Sequence, residues 1–188
     1  MMRVRYWDLA ATPDGGCYTV GVKMSRSSRD LYYVEDVVRG QWGPYQRNQV
    51  ILQTAAMDGR ETPIWIEEEG GSAGKEQSAN LAILLTGYVI HFDRPTGDKI
   101  TRSGAFSAQA EAGNVKVLAG LWNESFITEL HNCDPDAGGL MDQVDASSGA
   151  FNKLALHRSF GISGGGAVEV VPALERNGQK IDAEVVIW

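Results

Sequence analysis

The stretch VRYWDLAATPDGGCYTVGVKMS, residues 4–25, decides the fold. An apolar and aromatic run ends at Asp8, a Pro13-Asp14-Gly15-Gly16 turn follows, and Tyr18, Val20, Val22 and Met24 then alternate with their neighbours. Alternation puts every second side chain on one face, so the segment predicts a β-hairpin packed on a core. Arg26 to Asp30 is a polar break, and Leu31 to Val38 is rich in the aromatic and β-branched residues that suit a pleated surface. The expectation is a third strand completing an antiparallel meander.

Downstream, the periodicity changes. Pro44 opens a segment in which Val50, Ile51, Thr54 and Met57 recur at helical spacing, closed by Gly59. PIWIEEE, residues 63–69, reads as a short strand bounded by proline and a glycine pair, and Lys75 to Thr86 carries Ala79, Ala82, Ile83 and Thr86 on one helical face. Tyr88 to Phe92 reads as a buried strand, Asp98 to Ala112 as a helix capped by Asp98, and Val115 to Leu118 as a further strand. Trp122 to Leu130 and Asp142 to Leu156 read as helices joined by a loop over 133–139. The order β-β-β-α-β-α-β-α-β-α-α predicts an α/β fold, a mixed β-sheet with helices on its faces. One domain is expected over 1–158. Residues 159–188 are expected to form a Gly-rich joint and then a β-hairpin or a flexible tail. Asn177-Gly178 is a hairpin-turn signal that would pair Arg176 with Gln179 and Glu175 with Lys180, and Pro172 would restrict that strand to an edge.

Composition narrows the function classes. No window holds the ~20 unbroken apolar residues of a membrane span, and residues 1–8 lack the apolar core of a signal peptide, so no membrane role is expected. The two cysteines, Cys17 and Cys133, form no CxxC pair, which predicts neither a disulfide scaffold nor a structural zinc site and fits a reducing cytoplasm. Twenty-four acids against 17 Lys and Arg give a net charge of −7, which excludes a polyanion binder that works by bulk positive charge.

Acids stand at the ends of elements at three distant points. Asp8 ends the first strand, Glu67, Glu68 and Glu69 end the PIWIEEE strand, and Asp142 and Asp145 lie three apart at a helix start. Carboxylates so placed can converge on hard divalent cations, and two such ions can activate water and stabilise the leaving oxygen in phosphodiester hydrolysis. The plainer reading is also available: Asp8 as a turn former, the glutamates as a solvated strand end, and the helix acids as N-terminal caps favoured by the dipole. Alternation would put Glu67 and Glu69 on one face and Glu68 on the other.

YWDLAAT (6–12) with the GGCYTVGV that follows, IEEEGGSAGK (66–75), DKITRSGAFSAQAEAGNVKVLAG (98–120) and MDQVDASSGAFN (141–152) together resemble the nuclease domain of tailed-phage terminase large subunits. The likeness runs over about residues 4–156, in order and at compatible spacing. It implies a ribonuclease H-like fold and a metal-dependent endonuclease that cuts concatemeric double-stranded viral DNA during genome packaging. It also implies two Mg2+ or Mn2+ ions, held by Asp8, Glu67, Asp145 and Asp142. In that scheme Asp8 bridges the ions, Glu67 and Asp145 hold one each, and Asp142 ligates or orients from behind. Relatives often carry a doubled acid before the Gln where Met141 stands here, which leaves the ranking of Asp142 against Asp145 open. The implied partners are duplex DNA, an ATPase motor domain, a small terminase subunit and a portal, in the cytoplasm of a bacterial host of a phage or prophage. No motor segment is expected within this sequence.

Other motifs are weaker. GGSAGKE at 70–76 fails as a P-loop because Glu69 stands at the first glycine and Glu76 replaces the hydroxyl. Lys75, Lys99 and Arg102 are candidate contacts to DNA phosphate, or else ordinary surface charges. His131 reads as a loop histidine, and Trp7 and Trp65 as core or rim residues beside the acids. Two rival functions stay open: another ribonuclease H-like enzyme, such as a junction resolvase or transposase-type nuclease, and a non-catalytic docking module whose acids are only caps.

Overall fold

The computed structural model describes residues 1–10, 16–94, 99–133 and 140–156, with short strands at 175–176, 179–180 and 185–186; side chains are described up to residue 156, those of 99 and 100 excepted. The expected Pro-Asp-Gly-Gly turn over most of its length, the Asp98 cap, most of the 133–139 loop, the Gly-rich joint, Pro172 and the Asn177-Gly178 turn lie outside the described residues.

Three strands, β1 (Met2–Asp8), β2 (Thr19–Arg26) and β3 (Tyr32–Gly40), form the antiparallel meander, with Tyr6 opposite Val22 and Val22 opposite Val37. Helix α1 (Pro44–Asp58) leads to β4 (Ile64–Glu67), which pairs parallel with β1, and α2 (Gly71–Leu84) leads to β5 (Ile90–Asp93), which pairs parallel with β4. Helix α3 (Lys99–Glu111) leads to β6 (Val115–Val117), parallel with β3, and α4 (Asn123–His131) and α5 (Asp142–Leu156) follow. In the tail, β7 (Glu175–Arg176) and β8 (Gln179–Lys180) pair antiparallel with Glu175 opposite Lys180, and β9 (Val185–Val186) pairs antiparallel with β6. The large sheet therefore runs β5-β4-β1-β2-β3-β6-β9. No helix among the described residues is long and apolar enough to cross a membrane.

Alternation along β1 divides the core. Tyr6 joins Val22, Val34, Phe106, Phe126, Ala150 and Leu154 under α3, α4 and α5, whereas Trp7 joins Ile51, Ala55, Ile66 and Leu81 under α1 and α2. Each face of the sheet thus has its own apolar cluster, and burying both removes the apolar side chains from water. Arg5, only 1% exposed, lies beyond the α1 cluster, where its guanidinium bonds Asp58 at 2.6 Å and Asp36 at 2.8 Å, and Lys23 reaches Asp58 at 3.0 Å. This pins the end of α1 to the sheet.

Three expectations are corrected. The Tyr88–Phe92 run is not a buried strand over its length: β5 starts at Ile90, sits at the edge of the described sheet and leaves His91 exposed. His131 is the last residue of α4 rather than a loop residue. Glu67 is the last residue of β4, and alternation carries on for one residue only: Glu68, whose N–H still bonds the Asp93 carbonyl, turns to Ser78 of α2 on the opposite face, whereas Glu69 acts on Arg47 of α1 instead of rejoining Glu67. The reason is local: a Cβ on Gly74 would lie 2.0 Å from the Glu69 carbonyl oxygen, so the first turn of α2 packs tightly on the end of the acidic run.

Candidate active site

The parallel pairings line up strand ends. Trp7 is opposite Ile66, and Glu67 is opposite Asp93, so Asp8, Glu67 and Asp93 end three adjacent strands at the same edge. Side chains two apart share a face, which places these acids with Tyr6 and Trp65 on the side covered by α5. Gly149 lets that helix come close: a Cβ there would lie 2.3 Å from the Tyr6 ring, and one helical turn earlier stands Asp145, 7% exposed.

The result is a cleft of about 320 Å³ whose lining includes Tyr6, Glu67, Asp93, Arg102, Asp145 and Lys153. Tyr6 donates to Asp93 at 2.9 Å and lies 3.5 Å from Glu67. Burial, followed by the charges of Asp93 and Glu67 and more weakly Asp8, pushes the Tyr6 hydroxyl far above its ordinary value, so it stays protonated and acts as a fixed donor. Lys153 reaches Asp93 at 2.6 Å, and Arg102 stands 3.8 Å from Glu67.

Of the acids expected from sequence, Glu67 and Asp145 share this cleft, and Asp8 adjoins it closely enough for its charge to bear on Tyr6. Asp142 accepts the Tyr18 backbone N–H at 2.8 Å. That bond ties the start of α5 to the start of β2. A second tie comes from Glu129 on α4, which accepts the Gln143 backbone N–H and its side-chain amide, each at 2.6 Å. Glu68 and Glu69 take no part in the cleft lining. Hydrogen bonds from Arg94 and Ser78 hold the Glu68 carboxyl below the usual range. The Glu69 charge acts on Arg47 of α1, whose guanidinium is lowered by burial and raised by that acid.

Among the phosphate-contact candidates, Arg102 lines the cleft, Lys75 is exposed on α2 outside its lining, and the Lys99 side chain lies outside the described residues. Two cleft residues escaped sequence reasoning. Asp93 ends an edge strand that the hydropathy pattern closes one residue early, and Lys153 reads as a cation complementing the C-terminal end of a helix. A tyrosine two residues before Asp8 was the available signal for Asp93, since a buried hydroxyl needs a partner.

Among the described residues, no three His, Cys, Asp or Glu side chains form a preassembled metal centre. The donor set nevertheless suits hard divalent ions. It offers the carboxylate oxygens of Asp8, Glu67, Asp93 and Asp145 around Tyr6, with Arg94, Arg102 and Lys153 as the cations of the lining.

The family described as Terminase RNaseH-like domain matches residues 5–154, and the chain belongs to that family. The match supports a nuclease of ribonuclease H-like fold. No curated protein matches the sequence. Among solved structures, the fowlpox virus resolvase in complex with Holliday junction DNA is similar at 10% identity and a TM-score of 0.46, covering 84% of this chain and 100% of that one. The yeast mitochondrial Holliday junction resolvase is similar at 12% identity and a TM-score of 0.46, covering 85% and 82%.

Proposed function

From membership of the terminase RNase H-like family, we propose that this protein is a divalent-metal-dependent DNA endonuclease that cuts concatemeric viral DNA during genome packaging in a bacterial host cell. The observation carrying this reading is the alignment of Asp8, Glu67 and Asp93 at adjacent strand ends, with Asp145 brought to the same cleft by the close approach of Gly149 to Tyr6. Asp8, Glu67 and Asp145 would hold the ions, with Asp142 orienting the helix that carries Asp145. The chemistry such ions would supply, when bound, is activation of a water and neutralisation of charge on the departing oxygen of the scissile phosphate.

The chain's own groups do the rest. Tyr6, held protonated, fixes Asp93 and stands within reach of Glu67, so these acids present their remaining oxygens in set directions. Asp142 on the Tyr18 amide and Gln143 on Glu129 hold the first turn of α5 against β2 and α4, which keeps Asp145 in register with the strand ends. In the packaging reading, an ATPase motor, small terminase subunit and portal bring the duplex to this surface.

Incubation of the protein with supercoiled plasmid, linear duplex and a four-way junction, each in Mg2+, Mn2+ and EDTA, tests the reading. Nicking and linearisation of plasmid in metal but not in EDTA is expected. Cleavage confined to the junction would replace packaging with a resolvase role, and inertness on all three substrates would reduce the acids to structural caps.

A further inference from the structure

The cleft holds one basic side chain fixed from two directions. Lys153 lies on α5, two turns beyond Asp145; its ammonium is 2.6 Å from Asp93 and 4.6 Å from the centroid of the Trp65 ring, and its side chain is only 16% exposed. Trp65 is itself held by stacking on His91, at 4.3 Å between centroids. A lysine normally keeps its stem mobile and its charge in water, and ordering one costs about 2 kcal/mol of rotamer entropy. Here an acid and an aromatic face impose that order beside the acidic strand ends.

We infer that Lys153 is the residue of this cleft that binds a DNA phosphate, with Asp93 and Trp65 as its positioning residues. An ammonium has three donors, and the Asp93 pair directs one of them. The charge pattern explains why such a residue is needed. With a net charge of −7 and the carboxylates of Asp8, Glu67, Asp93 and Asp145 gathered around Tyr6, a phosphodiester meets repulsion unless a cation stands among the carboxylates. Arg94 and Arg102 also line the cleft, but Arg94 is largely exposed and pairs with Glu68, and Arg102 stands 3.8 Å from Glu67 and approaches from α3, so neither is held from two directions as Lys153 is. The inference rests on the nuclease reading for its substrate. Its test does not depend on cleavage.

The structural alternative is that Lys153 only neutralises Asp93. Two variants separate the possibilities: Lys153→Met, which leaves Asp93 without its cation, and the double variant Lys153→Met with Asp93→Asn, which removes both charges. Binding to a linear duplex is measured in EDTA as a function of salt, thermal unfolding alongside it, and KM and kcat for plasmid nicking in metal. A phosphate-binding Lys153 predicts that both variants lose about 0.9 from the slope of log K against log salt. It also predicts that both raise KM about tenfold. Thermal stability should recover in the double variant while binding does not. Recovery of the wild-type salt slope and KM in the double variant would overturn the inference, as would an unchanged slope in Lys153→Met. If the wild-type protein nicks nothing in any metal, the nuclease reading fails, and the salt slopes in EDTA still decide the role of Lys153.

Discussion

Arg5 and Tyr6 are neighbours on β1, yet each anchors a charged cluster of a different kind. On the α1 face, two cations, Arg5 and Lys23, meet two acids, Asp36 and Asp58, at 3.0 Å or less. On the α5 face, Tyr6 sits among Asp8, Glu67, Asp93 and Asp145, with Arg94, Arg102 and Lys153 as the cations of the same cleft. The first cluster is balanced and closed, so its charges need nothing from outside. The second carries more acid than base and opens to a cleft. A balanced buried cluster fixes architecture, while an unbalanced one holds charge in readiness for a bound cation or substrate.

This contrast makes opposite predictions for the two faces. The largest effect belongs to the unbalanced side: Asp8→Asn and Glu67→Gln should each lower plasmid nicking by at least about 100-fold with unfolding temperature preserved. Asp145→Asn should approach them, and Asp142→Asn should lose less, because Asp142 acts through the Tyr18 amide. Wild-type nicking by any of the first three variants would remove that acid from the mechanism.

On the balanced side, Asp58→Asn should destabilise the fold by about 3 kcal/mol in urea titration, since it leaves the buried Arg5 guanidinium with Asp36 as its one carboxylate, while activity per folded molecule stays the same. A loss of nicking without loss of stability would mean the faces are coupled. Gly149→Ala should affect both properties at once: its Cβ would strike the Tyr6 ring, forcing α5 outward at a cost of about 1–3 kcal/mol and displacing Asp145 from the strand ends.

The pH response separates the clusters further. Burial would raise the Asp58 carboxyl, but hydrogen bonding and charge from Arg5, with Lys23, outweigh it and hold Asp58 below its ordinary value of 3.8. A depressed folded-state value means that the stabilisation is present above the unfolded value and is lost as pH falls through the folded one. Acid denaturation of the wild type below about pH 4 should therefore be steeper than that of Asp58→Asn. Equal slopes would show that Asp58 does not carry the acid limb. The smallest effect should come from Tyr6→Phe, which removes one hydroxyl bonded to Asp93: about 1 kcal/mol of stability and a several-fold loss of nicking, seen in urea titration and plasmid assay.

The sequence was legible where local periodicity decides structure. The hairpin around Asp8, the helix from Pro44 and the bounds of α5 at Asp142 and Leu156 follow from alternation, a helix-starting proline and acids at a helix start. It was less legible where register between distant strands decides. Nothing local in Ile90–Asp93 says that Asp93 comes to rest opposite Glu67, because that depends on how two parallel strands separated by α2 align. Lys153 was hidden for a related reason: its partners, Asp93 and Trp65, are 60 and 88 positions away and meet it only through the sheet. The glutamate run departs from alternation only at Glu69, whose carbonyl the first turn of α2 approaches through Gly74.

The place of β5 at the end of the described sheet gives the row of acids a gradient of stiffness. Asp8 belongs to a strand laced by backbone bonds on both sides, Glu67 to the next strand out, and Asp93 to one with a ladder partner on a single side. Amide exchange should rise along that sequence of strands, since an edge strand opens at lower free energy than a central one. Geometry at the Asp8 end is thus set by the core of the protein. At the Asp93 end, where Lys153 is also held, the wall can yield, so a substrate as broad as a duplex meets a rigid anchor on one flank and a compliant one on the other.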